Sequence, residues 1–251
     1  MTRGSLENRW QRIRAQLPLL LPSCCALCGC RADRVLCAAC HAQFFTTPLL
    51  RCQRCALALT TPGSKVCGAC LQTPPAFDAT VVVIDYAPPI DQLVLALKFG
   101  HRLALAPCFA EMLGARLLQT QAGATEPEPL PTLLLPVPLG PQRLAQRGFN
   151  QALEIARPLA RRLGIPLAPG LLMREHDTRA QSQLHPRERQ QNVHHAFSVD
   201  GADQARIRGQ HIGLVDDVMT TGSTLGALAA LLKRYGAARV TNLVFARTPQ
   251  H

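Results

Sequence analysis

The sequence has no long apolar run, few aromatic residues and almost no lysine. Residues 17–22 form a short leucine-rich stretch interrupted by proline, whereas a membrane span needs about 18 uninterrupted apolar residues and a signal-peptide core at least about 7. We therefore expect a cytoplasmic protein without membrane insertion. Aromatic residues make up 4% of the chain, so side chains on which nucleic-acid bases could stack are scarce.

The composition is that of a folded, basic protein. The 251 residues are 47% apolar and 17% charged, a mixture that excludes disorder and suits one or two globular domains. Lysine and arginine total 27 against 16 acidic residues, and only Lys65, Lys98 and Lys233 are lysines. Arginine therefore carries most of the net charge of +11, and its planar guanidinium group suits phosphate and carboxylate partners.

Cysteine is abundant, with eleven residues in the chain. Disulfides are rare inside cells, so metal-bound thiolates are the first explanation. Two C-x-x-C pairs make one closed tetrahedral zinc site, and a redox motif would not explain a fourfold repetition. We predict up to two structural zinc ions, held by four pairs: Cys25 and Cys28, Cys37 and Cys40, Cys52 and Cys55, and Cys67 and Cys70.

The spacing favours one grouping of these cysteines but leaves another open. In the sequential grouping the first four cysteines hold one ion and the last four hold the other. An interleaved cross-brace is compatible with the same spacing. Cys24 and Cys30 flank the first pair and could replace one of its members, although their spacing fits a zinc site less well.

We predict a domain boundary near residue 75, where the cysteine pairs end. Residues 1–75 form a cysteine-rich double zinc-knuckle domain, and residues 76–251 alternate strand and helix patterns that indicate an α/β domain. We expect Cys55→Ser to misfold the first domain without altering ligand binding by the isolated domain of residues 76–251. The predicted strands are residues 77–86, 132–138, 211–216 and 240–246, and the predicted helices are residues 90–99, 103–118, 150–162 and 223–235.

Residues 214–224 carry the clearest chemical motif. An apolar strand ends in Asp216 and Asp217, a short hydroxyl-rich loop follows, and a helix then begins. Backbone N–H groups and hydroxyls at the start of a helix receive phosphate, and paired carboxylates suit vicinal sugar hydroxyls or a divalent cation. The order of these groups therefore predicts a phosphorylated-sugar site at the carboxyl edge of a parallel sheet.

This stretch resembles the PRPP-binding motif of type I phosphoribosyltransferases, and the wider pattern resembles the ComF/GntX family. The resemblance implies a type I phosphoribosyltransferase fold, a parallel sheet flanked by helices, with a small N-terminal zinc-binding domain. It also implies a role in DNA uptake during competence or in use of external DNA, with a DNA-uptake helicase as a partner. The matching segments are the cysteine pairs, residues 86–89, 97–100, 136–138 and 147–151, Arg187, Asn192 and residues 196–197.

The resemblance also implies roles for individual residues. Asp216 and Asp217 would hold the ribose hydroxyls of PRPP, and the loop would cradle its 5′-phosphate through Thr220, Thr221, Gly222, Ser223 and Thr224. Residues 138–150, with Arg143, Arg147 and Asn150, would serve pyrophosphate and Mg²⁺. Lys98 is either a further phosphate ligand or a solvated lysine at a helix end.

Three functions are compatible with this resemblance, and no catalytic residue is assigned. The first is a DNA-uptake factor that keeps the PRPP site and contacts incoming single-stranded DNA through arginines of the head and of residues 143–189. The second is an active PRPP-dependent transferase acting on an unidentified base or nucleotide, and a PRPP-sensing regulator is a third. Thr220 stands where 6-oxopurine salvage enzymes have an acid–base aspartate, which argues against that substrate class.

Overall fold

The computed structural model describes residues 23–46, 50–61, 63–122, 129–174 and 196–249. The chain divides into two compact units, Met1–Pro48 and Leu49–His251. This division precedes the third cysteine pair, whereas the predicted boundary lies near residue 75. The last four knuckle cysteines therefore belong to the same compact unit as the α/β sheet.

The smaller unit is built around the first two cysteine pairs. Strand β1 (Ser23–Cys24) pairs antiparallel with β2 (Arg31–Ala32), and helix α1 (Ala38–Phe45) follows. The turn between the strands closes with a bond from the Cys25 N–H to the carbonyl of Cys30 at 2.8 Å. The Sγ atom of Cys37 accepts from the Cys40 N–H at 3.4 Å and so caps α1.

The larger unit contains two sheets. Its strands are β3 (Ala79–Asp85), β4 (Leu133–Pro136), β5 (Leu172–Arg174), β6 (Phe197–Val199), β7 (His211–Met219) and β8 (Arg239–Arg247). Four of them form a fully parallel sheet in the order β3-β8-β7-β4, and β5 pairs antiparallel with β6 in a second, two-stranded sheet. Because the neighbouring strands of the larger sheet are parallel, their carboxyl ends lie at one edge.

The helices of the larger unit are α2 (Gly68–Gln72), α3 (Ile90–Lys98), α4 (Leu105–Ala122), α5 (Pro141–Arg147), α6 (Gln151–Leu163) and α7 (Ser223–Arg234). Parallel strands need long crossover connections, and α3 and α4 lie in the chain between β3 and β4, whereas α7 lies between β7 and β8. The Asn150 side chain accepts from the N–H groups of Ala152 and Leu153 and so caps α6. Among the described helices, none combines the length and the apolar character that a membrane crossing demands.

The predicted α/β fold is confirmed, with two local differences. Strand β7 does not end at the paired aspartates but runs to Met219, because it pairs with β8 as far as Arg247. Residues 138–150 are not an open loop: they contain α5, which ends at Gly148 with a left-handed φ of 78°. Both differences extend regular structure towards the carboxyl edge of the sheet.

Candidate functional site

Asp217 is the buried centre of a polar cluster at the carboxyl end of β7. Its side chain is 2% exposed, and its Oδ2 lies 2.7 Å from the Nζ of Lys98. Its Oδ1 accepts from the Nε2 of Gln151 at 3.4 Å. The last residue of α3, the first residue of α6 and the end of β7 therefore converge. Lys98 is therefore paired with a buried carboxylate, so the alternative of a solvated lysine at a helix end is wrong.

Arg147 joins the same cluster through Gln151. Its Nη1 donates to the Oε1 of Gln151, the same side chain that contacts Asp217. Its Cζ also lies 5.2 Å from the ring centroid of Phe99. Gln151 was not predicted as a site residue, although it stands in the segment 147–151 on which the family resemblance rests.

Asp216 is the less compensated of the two aspartates. Burial, followed by the adjacent Asp217 carboxylate, raises the pKa of Asp216 well above its usual range, and Lys98 opposes this effect only in part. One Oδ1 of Asp216 accepts from the Asp217 N–H at 2.9 Å. Hydrogen-bond donors or a cation placed beside Asp216 would therefore stabilise its charged form.

The loop after β7 presents hydroxyls and N–H groups at the start of α7. Gly222 has a φ of 85°, and a Cβ there would lie 2.5 Å from the Cε of Met219, so a side chain fits poorly. The hydroxyls of Thr221 and Ser223 are 2.8 Å apart, and both residues are exposed. Together with exposed Thr220 and half-buried Thr224, they lie at the N-terminus of a 12-residue helix, a position that favours binding of an anion.

Arg247 supports this loop from inside the protein. It is 1% exposed and donates from Nη1 to the carbonyl of Met219 at 3.1 Å, and also to the carbonyl of Thr220. Its Nε donates to the carbonyl of Cys55 at 3.1 Å. With the loop carbonyls held inward on Arg247, the loop keeps a fixed backbone. Sequence reasoning missed Arg247, whose only signal is a charge ending an apolar strand.

The eight knuckle cysteines gather into two groups of four. In each group the four Sγ atoms lie within 4.8 Å of one another, in the sequential grouping and not the cross-brace. The Sγ atoms of Cys28 and Cys37 are 3.8 Å apart, and those of Cys55 and Cys67 are 3.6 Å apart. Four thiolates around zinc at about 2.3 Å stand about 3.8 Å apart. Both groups could hold zinc, and neither includes Cys24 or Cys30.

The thiol pKa values show how each group is prepared for a cation. Burial opposes ionisation of Cys25, but hydrogen bonds from three backbone N–H groups outweigh it and lower the pKa to about 6. The same balance lowers the pKa of Cys52 to about 7. Burial and the neighbouring thiols raise the pKa of Cys55 to about 11. One thiolate forms readily in each group, whereas four together need a cation to offset their repulsion.

The second cysteine group packs into the core of the larger unit. Cys52, Cys55 and Cys70 are buried in one hydrophobic cluster with Phe77 and Met219. Beside them, the Nη1 of Arg51 lies 2.7 Å from the Oδ1 of Asp85 and donates to the carbonyl of Ala56 at 3.0 Å. This arrangement differs from the expectation that residues 1–75 fold apart from the sheet.

Part of the predicted basic surface lies outside the described residues. This applies to residues 175–189 of the segment 143–189 that is predicted to contact DNA, including Arg187 and Arg189. Arg174 ends β5, and its Cζ lies 5.3 Å from the ring centroid of Phe197.

Comparison with known proteins assigns the chain to a family. It is 36% identical over 233 residues to DNA utilization protein YhgH of Salmonella typhi, covering 92% of this chain and 99% of that protein. The chain belongs to the ComF/GntX family. Competence protein F of Haemophilus influenzae is another relative of this ComF/GntX chain, 32% identical over 83% of this chain and 89% of that protein.

The same comparisons confirm the predicted type of domain. Residues 150–251 match the family model described as phosphoribosyl transferase domain. A hypoxanthine phosphoribosyl transferase of Trypanosoma cruzi is among the similar solved structures, with 16% identity and a TM-score of 0.35 over 55% of this chain and 63% of that chain. The relatives confirm the predicted family, and the domain match together with the parallel sheet confirms the predicted phosphoribosyltransferase fold.

Proposed function

We propose that this ComF/GntX protein is a DNA-uptake factor whose phosphoribosyltransferase domain binds PRPP with Mg²⁺ and which contacts incoming single-stranded DNA. The observation that carries the proposal is the convergence of Lys98, Asp216 and Asp217 beside the exposed Thr220–Thr224 loop. The names of the relatives, a DNA utilization protein and a competence protein, support the wider role. A DNA-uptake helicase partner stays a prediction from the family resemblance.

The residues present fit PRPP by their chemistry. Gln151 and Lys98 hold the two oxygens of Asp217, so this carboxylate is oriented before a ligand arrives. Asp216 is the freer acceptor for the ribose hydroxyls, and the loop offers N–H groups and hydroxyls to the 5′-phosphate. Arg147 and Lys98 supply positive charge for the pyrophosphate part, and bound Mg²⁺ would neutralise charge that two side chains alone leave unbalanced.

We also propose that each cysteine group holds one structural zinc ion. Four thiolates leave no open coordination position, so the metal would stabilise the fold and perform no chemistry. The eleven cysteines form no disulfide in the described structure, and a chain that depends on free thiols suits the reducing cytoplasm, where we place this protein.

An active transferase is the second candidate. The intact pair of aspartates, with Lys98 already placed on one of them, favours it. A screen of pyrophosphate release from PRPP and Mg²⁺ with bases, nucleosides and single-stranded oligonucleotides separates the two candidates. Release with one acceptor would show turnover, whereas binding of PRPP without release would show that the site is used for binding alone.

Replacing Asp216 and Asp217 together by alanine should weaken PRPP binding at least tenfold, about 1.4 kcal/mol. The change removes both acceptors for the ribose hydroxyls and leaves Lys98 without its ion-pair partner. Calorimetry with PRPP and Mg²⁺ on the full-length protein measures the loss. The control is Asp91→Ala with Glu111→Ala, which removes equal charge away from the loop. Equal affinity of the wild type and the site variant would show that PRPP does not bind here.

Replacing Asp216 alone by asparagine should stabilise the ligand-free protein while weakening PRPP binding. The raised pKa means that the folded protein holds this proton more tightly than the unfolded chain does. The wild type therefore loses stability as pH rises from about 4, the usual carboxyl value, towards the folded pKa. Urea unfolding at pH 5.5 and pH 8 should show a larger gain for the variant at pH 8. A variant less stable than the wild type at pH 8 would contradict a raised pKa for Asp216 in the folded protein.

A further inference from the structure

A small group of aromatic and basic side chains borders the carboxylate cluster, and only Arg147 among them has been given a role, towards pyrophosphate. We call it the aromatic rim and define it as Phe99, His101, Arg147 and Phe149. Phe99 is 66% exposed. All eight phenylalanines lie in the described part of the chain, and Phe99 is the most solvent-exposed of them. An apolar ring kept in water beside a polar site suggests a ligand that covers it.

The rim has an ordered geometry. The guanidinium carbon of Arg147 lies 5.2 Å from the centroid of the Phe99 ring. The rings of His101 and Phe149 meet edge to face, with centroids 5.8 Å apart and an interplanar angle of 63°. His101 has a φ of 51°, a left-handed conformation that costs non-glycine residues about 1–3 kcal/mol. Local packing therefore holds these rings in place on the surface.

The rim is continuous with the proposed sugar site. Phe99 directly follows Lys98, which pairs with Asp217. Arg147 reaches the same carboxylate through Gln151. A ligand whose ribose occupies Asp216 and Asp217 would thus bring the group attached to that ribose towards the rim. In nucleosides and in DNA, the group attached to the sugar is a flat aromatic base, and such bases stack on aromatic rings and on guanidinium planes.

We propose that the aromatic rim stacks a nucleobase, either a free acceptor base or a base of single-stranded DNA. The proposal rests on the function proposed above, and it adds base contacts to a protein whose low aromatic content predicts contacts to phosphates. Arg147 and His101 can donate hydrogen bonds to base carbonyls and ring nitrogens, and Phe99 and Phe149 supply π faces. The scarce aromatic residues are thus placed where one base needs them.

The test compares oligonucleotides that differ only in their bases. Full-length, zinc-loaded protein is titrated with a fluorescent 30-mer of thymidine and with an abasic 30-mer of equal charge. The wild type should bind the thymidine strand about tenfold more tightly, since base stacking contributes that much or more per base. Phe99→Leu keeps the apolar volume but removes the ring, and should erase this preference without changing affinity for the abasic strand. Phe99→Tyr should restore it.

A second arm separates the two sources of the base. Adenine, uracil and their nucleosides are titrated by calorimetry in the presence of PRPP and Mg²⁺, with wild type and Phe99→Leu. A loss confined to free bases identifies an acceptor site, and a loss confined to the thymidine strand identifies a DNA contact. Leu95→Ala is the control for loss of apolar surface, because Leu95 lies in α3, just before Phe99, and is 42% exposed.

The outcomes also separate this proposal from the proposed function. PRPP affinity should change little in Phe99→Leu, because the leucine keeps apolar volume beside Arg147 and alters none of the polar partners of Asp217. Absence of PRPP binding by the wild type would overturn the proposed PRPP site, whereas the comparison of strands would still report on the rim. A wild type that binds thymidine and abasic strands equally, with no response of free bases to Phe99→Leu, would overturn the rim.

Discussion

Replacing Cys55 by serine should abolish PRPP binding by the full-length protein, whereas replacing Cys28 by serine should leave that binding within about twofold of the wild type. Both changes remove one thiolate from a cysteine group, and each should lower the zinc content from about two to about one per chain. They differ in where the lost group lies. Cys28 belongs to Met1–Pro48, and Cys55 belongs to the unit that carries the sheet.

The physical reason is the connection from the second cysteine group to the loop. The carbonyl of Cys55 accepts from Arg247, and Arg247 also binds the carbonyls of Met219 and Thr220. Burial lowers the pKa of Arg247, and the thiolate of Cys55 is the largest opposing influence. A zinc ion with four thiolates, as we propose for this group, would carry a net charge of −2 and compensate the buried guanidinium. Loss of the metal would remove this compensation together with the local fold.

The measurement combines elemental analysis with calorimetry on each purified variant. Apparent binding energies of structural zinc are about 10–16 kcal/mol in small zinc modules, so losing one site should release the segment around it. Circular dichroism shows whether the remaining sheet is folded. PRPP affinity that is unchanged in a Cys55→Ser protein with half the zinc would show that the second group does not support the loop. Equal loss in Cys28→Ser would show that the effect is not specific to that group.

Local patterns in the sequence were sufficient for most of the fold. The apolar run before Asp216 and the hydroxyl-rich segment after it indicate a strand, a loop and a helix in that order, and the helix begins at Ser223 as predicted. The end of β7 was not predictable in this way. The two aspartates interrupt the apolar run, and pairing with β8, up to Met219 opposite Arg247, keeps Val218 and Met219 in the strand.

The site was predictable only where its residues are adjacent in sequence. One continuous segment contains Asp216, Asp217 and the loop, so their chemistry can be recognised from the sequence alone. Lys98 was an open choice, because its position depends on how α3 meets the end of β7. Gln151 and Arg247 were missed, since a glutamine beside a helix cap and an arginine after an apolar strand carry no local signal. The cysteine pairs were evident, but packing of the second group into the sheet unit is a property of the tertiary fold.

Replacing Arg247 by methionine should destabilise the protein by about 2–4 kcal/mol and weaken PRPP binding more than tenfold. Methionine fills much of the same buried volume but donates no hydrogen bond. The carbonyl of Cys55 would then lose a buried donor, that of Met219 would keep only the N–H of Thr248, and that of Thr220 would lose its donor at the edge of the core. Urea unfolding measures the first effect, and calorimetry with PRPP and Mg²⁺ measures the second.

The control for charge is Arg234→Met, at an exposed arginine in the last turn of α7. It should leave stability within about 0.5 kcal/mol of the wild type. Arg247→Lys keeps the charge but lacks the planar fork that serves several carbonyls at once, so it should fall between the wild type and Arg247→Met.

Hydrogen exchange distinguishes a loosened loop from a protein that is merely less stable. Exchange at residues 219–224 should rise in Arg247→Met under conditions where circular dichroism shows a folded sheet, because the loop carbonyls are no longer held on the guanidinium group. Amides in the middle of β8 should stay protected, since that strand pairs with β3 on one side and with β7 on the other. If loop exchange and PRPP affinity in Arg247→Met both match those of Arg234→Met, the buried arginine does not position the loop that we propose to bind the 5′-phosphate.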